Sequence, residues 1–219
     1  MMEYNSLVII KIMNEIIKKH LQEHQAVLST LESLAPQIEK VAKHMIQALQ
    51  NGNTIFWCGN GGSASDAQHL AGELVGRFVG DRKALKSISL NADSAVMTCI
   101  VNDYGYEHLF SRQVEGLGVE GDVLVGITTS GNSENVLNAL VIANQKQMTT
   151  VGFLGKGGGK ALSLVKEAIV INSITTARIQ EMHITIGHIL CDLIEEGLHL
   201  KAWVSSSPVR PVLLVLILF

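Results

Sequence analysis

Charge is scarce in this chain. Asp, Glu, Lys and Arg make up 17% of 219 residues and leave a formal net charge of -3. With no basic surplus there is no electrostatic case for nucleic acid or an anionic membrane surface as the main partner. Cysteine is equally sparse. Cys58, Cys99 and Cys191 are odd in number, far apart and without a Cys-x-x-Cys pair, which argues against a disulfide framework or thiolate metal site and for a reducing compartment. No apolar run approaches the roughly 20 residues of a membrane span. The terminal "PVLLVLILF" (211–219) is wholly apolar but too short; it reads as a buried tail, an oligomer contact or a cloning or frameshift artefact. Near the start, "SLVIIKIMNEIIKKHL" is broken by Lys11 and Glu15 and lacks a small-residue cleavage pattern, so it reads as an amphipathic helix and not a signal peptide. Internal repeats, low-complexity linkers, a helix-turn-helix extension, the Gly-Lys-Ser/Thr of a Walker A loop and a G-x-G-x-x-G dinucleotide loop are all missing. What is present in quantity is hydrophobic residues, 47% of the chain, enough for one substantial core.

The apolar residues are distributed as alternating strands and helices. Residues 7–50 read as two helices separated near "SLAPQ", with Asn51-Gly52 as the stop signal. Strands are expected at 54–58, 86–90, 122–128, 149–154 and 167–171. Helices are expected at 63–78, 94–101, near 106–116, at 133–146 and from about Thr176 to Leu200. Continuous apolar strands that each lead into a helix imply a parallel sheet covered on both faces. The fold class is therefore α/β, a three-layer α/β/α sandwich around a five-stranded parallel sheet with an N-terminal helical extension. The expected division is a helical pair over 1–52, the α/β domain over 53–203 and an apolar tail over 204–219. Ligands of such folds sit outside the carboxyl ends of the strands, which singles out the loops at 59–63 and 128–133.

The second of these loops, "TTSGNS", gathers the hydroxyls of Thr129, Ser130 and Ser133, the Asn132 amide and the turn at Gly131 where a helix begins. Free N–H groups and partial positive charge at a helix start favour phosphate without a lysine, although an ordinary serine-rich cap would look the same. "GKGGGK" (155–160) invites a nucleotide reading that nothing else supports, and reads instead as a mobile loop. The first loop belongs to "CGNGGSASDAQHLAGE" (58–73). A helix from Ser63 puts Ser65, His69 and Glu73 in one stripe, and Gly61 and Gly62 let backbone approach a ligand. A histidine and a glutamate one turn apart suit acid–base work or a divalent metal, or are simply a solvated pair. The last helix, "ARIQEMHITIGHILCDLIEE" (177–196), adds Gln180, Glu181, His183 and His188. Gln180 and His188 can share one broad face, Glu181 aligns with His188 better still, and periodicity does not choose between them.

These segments, "CGNGGSASDAQHLAGEL", "NDYG", "TTSGNSENV" and "ARIQEMHITIGHIL", in this order over about residues 8–200, resemble the sedoheptulose-7-phosphate (phosphoheptose) isomerases of the sugar-isomerase (SIS) domain superfamily, a flavodoxin-like fold. The resemblance implies interconversion of D-sedoheptulose 7-phosphate and D-glycero-D-manno-heptose 7-phosphate through an enediol, the entry to activated heptose for surface polysaccharide. It implies substrate contacts from Asn60, Gly61, Gly62, Ser63, Glu73, Asn102, Asp103, Thr128, Thr129, Ser130, Ser133 and Gln180, with Glu73 as base and His188 as acid. It also implies one zinc per subunit on His69, Glu73, Gln180 and His188, no nucleotide cofactor, and a cytoplasmic homotetramer whose sites are built across subunits. Two departures stand out: Ala177 where many members carry aspartate, and Gly72 where many carry a second acidic residue. A competing class is the non-catalytic relative that associates with the bacterial replication initiator and shares much of the "ARIQEMH" helix; such proteins lack the acid–base pair that Glu73 and His188 supply here.

Overall fold

The computed structural model describes residues 2–200, with side chains from residue 8 onward. The apolar tail lies outside the described residues. Five strands, β1 (Ile55–Gly59), β2 (Ser87–Ser89), β3 (Val123–Thr128), β4 (Thr149–Gly155) and β5 (Glu167–Ile171), form one sheet in the order β2-β1-β3-β4-β5. Every neighbouring pair is parallel. The helices are α1 (Met2–Leu28), α2 (Ala35–Gln50), α3 (Gly62–Val75), α4 (Ser94–Tyr104), α5 (Ser111–Leu117), α6 (Glu134–Gln145) and α7 (Thr176–Gly197).

Alternation along each strand sorts side chains to the two faces. Ile55, Trp57, Val125 and Phe153 point into a core shared with α2, α3 and α7. Phe56, Cys58, Leu124 and Leu154 point into a second core shared with α5 and α6. The central strands β1 and β3 are buried along their whole length, which is why they read as unbroken apolar runs. Burial also pushes the Cys58 and Cys191 thiols up to about 12, which keeps them as inert core side chains. The chain adds β2 on one side of β1 and β3 on the other. The crevice between the carboxyl ends of β1 and β3 is thus the topological switch point, where open parallel sheets bind ligands.

Three elements differ from the sequence expectation. The helix expected to reach residue 78 stops at Val75, because the amides of Phe78, Val79 and Gly80 bond to the Glu195 carboxylate and not to the preceding turn. The helix expected near 106–116 starts after the positive-φ Gly105 and breaks at Leu109–Phe110 into a single 3-10 turn, Tyr106–His108, and α5. The strand expected at 86–90 keeps three residues at the sheet edge. Conversely, α4 outruns its expected end at residue 101, with Asp93 capping its start through the Ala95 and Val96 amides.

The N-terminal helices behave differently from each other. α2 buries Ile38, Val41, Ala42 and Met45 in the same core as the sheet. α1 is 27 residues long, about 40 Å, and is tied to α7 near its carboxyl end. There His24 Nδ1 lies 2.7 Å from Glu181 Oε2, and Arg178 donates to the His20 carbonyl at 2.6 Å. Further forward, Ile9, Ile10, Ile12, Met13, Ile16 and Ile17 are 51–56% exposed.

One buried ionisable group makes stability depend on pH. His183 on α7 is fully buried, its Nε2 3.1 Å from the Leu154 carbonyl and its Nδ1 without a partner. Burial lowers its pKa from 6.5 to about 4, outweighing the bond to Leu154. Between those values the unfolded chain binds the extra proton, so this group's contribution is intact above pH 6.5 and is lost as pH falls toward 4, by at most ~3 kcal/mol. Asp66, raised to about 6 chiefly by burial, acts in the opposite sense between pH 4 and 6. Urea midpoints at pH 4 to 7 are therefore expected to fall less steeply with acid in His183→Gln than in the parent protein. Parallel profiles would remove His183 from the account.

Candidate active site

The carboxyl end of β1 runs into Asn60-Gly61-Gly62. Gly61 takes φ 58, and a side chain at Gly62 would collide with the Gln180 amide. Glycine there lets the start of α3 lie directly under α7. Ser63 is 3% exposed and packs beneath Gly59. The Asn60 side chain is held in a reciprocal amide pair with the buried Asn135, at 2.8 and 2.9 Å, and accepts from the Tyr106 hydroxyl at 2.7 Å. This pair bolts the β1 loop to the first turn of α6. Asn91 does the same for the strand end, bridging the N–H and carbonyl of Gly59 at 3.2 and 2.9 Å.

At the carboxyl end of β3 the hydroxyls cluster as expected. Thr128 Oγ1 lies 2.9 Å from Ser133 Oγ and 3.4 Å from Ser130 Oγ. Ser130 Oγ accepts from the Asn132 amide at 3.1 Å. Ser133 occupies the cap position of α6 but its side chain makes no capping bond, while the Val136 amide in the first turn donates to Asn135 Oδ1 at 2.9 Å. The "GKGGGK" segment is not the free loop that its composition suggests. Gly158 and Gly159 pack directly against the Ser130–Gly131 backbone. The Ala161 amide donates to the Gly131 carbonyl at 2.9 Å and the Lys160 amide to Asn132 Oδ1 at 3.1 Å. Its glycines serve close backbone approach, and the segment is a backing for the hydroxyl loop.

The third component forms between α3 and α7. His69 Nε2 stands 2.8 Å from His188 Nε2 and 3.3 Å from Glu73 Oε1. Donor atoms of His69, Glu73 and His188 all fall within 4.8 Å of one another, a spacing that two imidazoles and a carboxylate adopt around a divalent cation. Phe78 stacks on the His188 ring at 5.6 Å and 24°. Gln180 and Glu181 point in different directions. Gln180 lies over Gly62, whereas Glu181 turns to His24 and Arg178 on the α1 side. Asn102 and Asp103, on the exposed last turn of α4, bond to each other at 2.7 Å. Ala177 is exposed at the start of α7, and Gly72 is exposed on α3 with open space where a side chain would stand. Sequence reasoning missed Asn135, Tyr106, Asn91 and Phe78. Asn135 sat within a quoted motif, but nothing in spacing shows an amide reaching across from another loop.

A parallel sheet with a hydroxyl-lined helix start at its switch point, and a carboxylate–imidazole cluster between α3 and α7, suits an α/β protein that handles phosphorylated small molecules, and similarity to known proteins agrees in class. A family model described as the SIS domain matches residues 19–155. Two relatives named phosphoheptose isomerase are strongly similar. The one from Aneurinibacillus thermoaerophilus is 49% identical over 197 residues, covering 88% of this chain and 99% of that protein. The one from Nitratiruptor sp. is 53% identical over 186 residues, covering 84% and 100%. The solved phosphoheptose isomerase GmhA of Neisseria gonorrhoeae superposes with a TM-score of 0.80 at 40% identity, over 84% of this chain and 99% of that one. The chain belongs to the phosphoheptose isomerase family of SIS-domain proteins.

Proposed function

We propose that the chain interconverts D-sedoheptulose 7-phosphate and D-glycero-D-manno-heptose 7-phosphate, with Glu73 and His188 as the proton-transfer pair. The observation that carries this reading is the convergence of Glu73 and His188 from α3 and α7, in a chain that also presents a hydroxyl-lined helix start suited to phosphate. Thr128, Thr129, Ser130 and Ser133 hold the phosphate. Asn60, Gly61, Gly62, Ser63 and Gln180 border the sugar from the β1 side, with Asn102 and Asp103 contributing from α4. Glu73 takes a proton from C1 of the ketose and the cis-enediol forms. The proton returns at C2 while His188 serves the oxygens. The reading as a non-catalytic binder of the replication initiator is not favoured, since the acid–base pair is intact and both relatives described above carry the isomerase name.

The donor set of His69, Glu73 and His188 fits zinc; Gln180, the fourth residue the resemblance implies, lies over Gly62, about two turns of α7 from His188. When bound, zinc polarises the carbonyl and enediol oxygens. Elemental analysis after purification without chelator is expected to find it; none after incubation with zinc would remove it from the account. The exposed apolar forward half of α1 supports the proposed homotetramer, because a stripe of that size is ordinarily covered. Sedimentation showing an active monomer would overturn that. Among the described residues no helix is long and apolar enough to cross a membrane, in keeping with the proposed cytoplasmic location.

Incubating the purified protein with sedoheptulose 7-phosphate, with and without chelator, is expected to yield the aldose; no aldose under either condition would overturn the function. Within that assay, Ser130→Ala and Ser133→Ala each remove one hydroxyl from the phosphate loop. A hydrogen bond to a charged group contributes about 1.5–3 kcal/mol, so KM is expected to rise by about 10- to 150-fold. Unchanged KM in both single variants and in the double variant would sink the phosphate assignment.

A further inference from the structure

A buried ion pair outside the proposed site joins α7 to the loop after α3. Glu195 on α7 and Arg82 in the loop after α3 meet at 2.7 Å, with side chains 0% and 1% exposed. Besides Arg82 Nε, the Glu195 carboxylate accepts the amides of Phe78 at 3.0 Å, Val79 at 3.1 Å and Gly80 at 2.9 Å. Burial by itself would raise its pKa, but these four donors outweigh burial and hold it below the usual carboxylate range. The guanidinium spends its other donors on backbone carbonyls of α3 and of the loop that follows it. It reaches Glu73 O at 2.8 Å, Leu74 O at 2.9 Å and Lys83 O at 3.1 Å.

The partners of this pair are the pieces that carry the chemistry. Arg82 grips the carbonyl of Glu73 itself. Glu195 lies seven residues beyond His188, two turns along the same face of α7, and fixes the amide of Phe78, whose ring lies flat against His188. Buried ion pairs are weak contributors to stability, since apolar pairs of similar volume do as well or better. Bonds from one pair to the carbonyls of Glu73 and Leu74, at the proposed base, and to the amide of Phe78, stacked on the proposed acid, ask for a further role.

We propose that Glu195 and Arg82 are positioning residues for the reaction, acting through Phe78 on the plane of the His188 ring and through the end of α3 on the direction of Glu73. The proposal rests on the reading of Glu73 and His188 as the proton-transfer pair. Phe78→Leu leaves the ion pair in place and removes the flat ring. It is expected to lower kcat about tenfold, with KM for sedoheptulose 7-phosphate within about twofold and the thermal midpoint nearly unchanged. Phe78→Tyr, which keeps the ring, is expected to recover most of the kcat that Phe78→Leu loses. Glu195→Gln is expected to lower kcat at least as far, and adding it to Phe78→Leu should cost less than the product of the two single losses, because part of its effect passes through the same ring. Should Glu195→Gln fail to fold, Arg82→Lys takes its place: it keeps the charge for Glu195, cannot span the same carbonyls, and is expected to show the same fall in kcat at constant KM. An undiminished kcat in Phe78→Leu, or fully multiplicative losses, would overturn the inference while leaving the acid–base reading standing. Full activity in Glu73→Gln would overturn that reading instead.

Discussion

Glu73→Gln is expected to lower kcat for sedoheptulose 7-phosphate by about 10²–10⁴-fold, the usual contribution of a general base, with the fold intact. Glutamine preserves the shape of the side chain and its capacity to hydrogen-bond His69 Nε2, 3.3 Å away, but it accepts no proton. The carboxylate lies between α3 and α7 with 22% of its side chain exposed, and glutamine fills the same space. KM should change far less than kcat, because the phosphate is held by a different loop. His188→Gln is expected to fall by a similar factor, and the double variant by less than the product, since the two groups serve one transition state. Steady-state rates with folding checked by circular dichroism decide the matter. Wild-type kcat in Glu73→Gln would place the base elsewhere.

The second large effect is expected at Gly131, in the turn of the hydroxyl loop. Its φ of 66 is left-handed, and a β-carbon there would collide with the backbone of Gly158. Alanine costs about 1–2 kcal/mol for that conformation alone. Backbone against backbone has no rotamer with which to relieve the overlap, so the 157–159 segment or the hydroxyl loop must move. Gly131→Ala is therefore expected to raise KM for the phosphosugar by tenfold or more. It should also lower the thermal midpoint by at least ~4 °C, on the usual few degrees per kcal/mol for a chain of this size. Wild-type KM and midpoint together would show that the two loops are not coupled as their packing implies.

The fold was legible because its strands are buried on both faces. "TIFWC" and "DVLVGIT" have no polar face to confuse with a loop, and each leads into a helix. The pairing of His69 with Glu73 was legible for a similar reason, as i, i+4 spacing on a helix is a geometric statement by itself. What spacing does not contain is direction across elements. Gln180 and Glu181 are neighbours on α7, and only the packed α1 and the close approach at Gly62 send one toward the site and the other away. The overlong α3 had the same origin. "ELVGRFVG" continues a helical pattern, and what ends the helix is a carboxylate more than a hundred residues later that captures three amides. The glycines of "GKGGGK" read as freedom when viewed alone, whereas beside Ser130 and Gly131 they permit contact.

The central claim, that Glu73 carries a proton between C1 and C2, is tested most directly by running the reaction in deuterated water and reading C2 of the aldose by NMR. Glu73 is partly open to solvent, so its proton can exchange before it is returned. The account predicts deuterium at C2 of D-glycero-D-manno-heptose 7-phosphate. Complete retention of protium at C2 through full conversion would mean that hydrogen passes directly between the carbons, and would contradict the role given to Glu73.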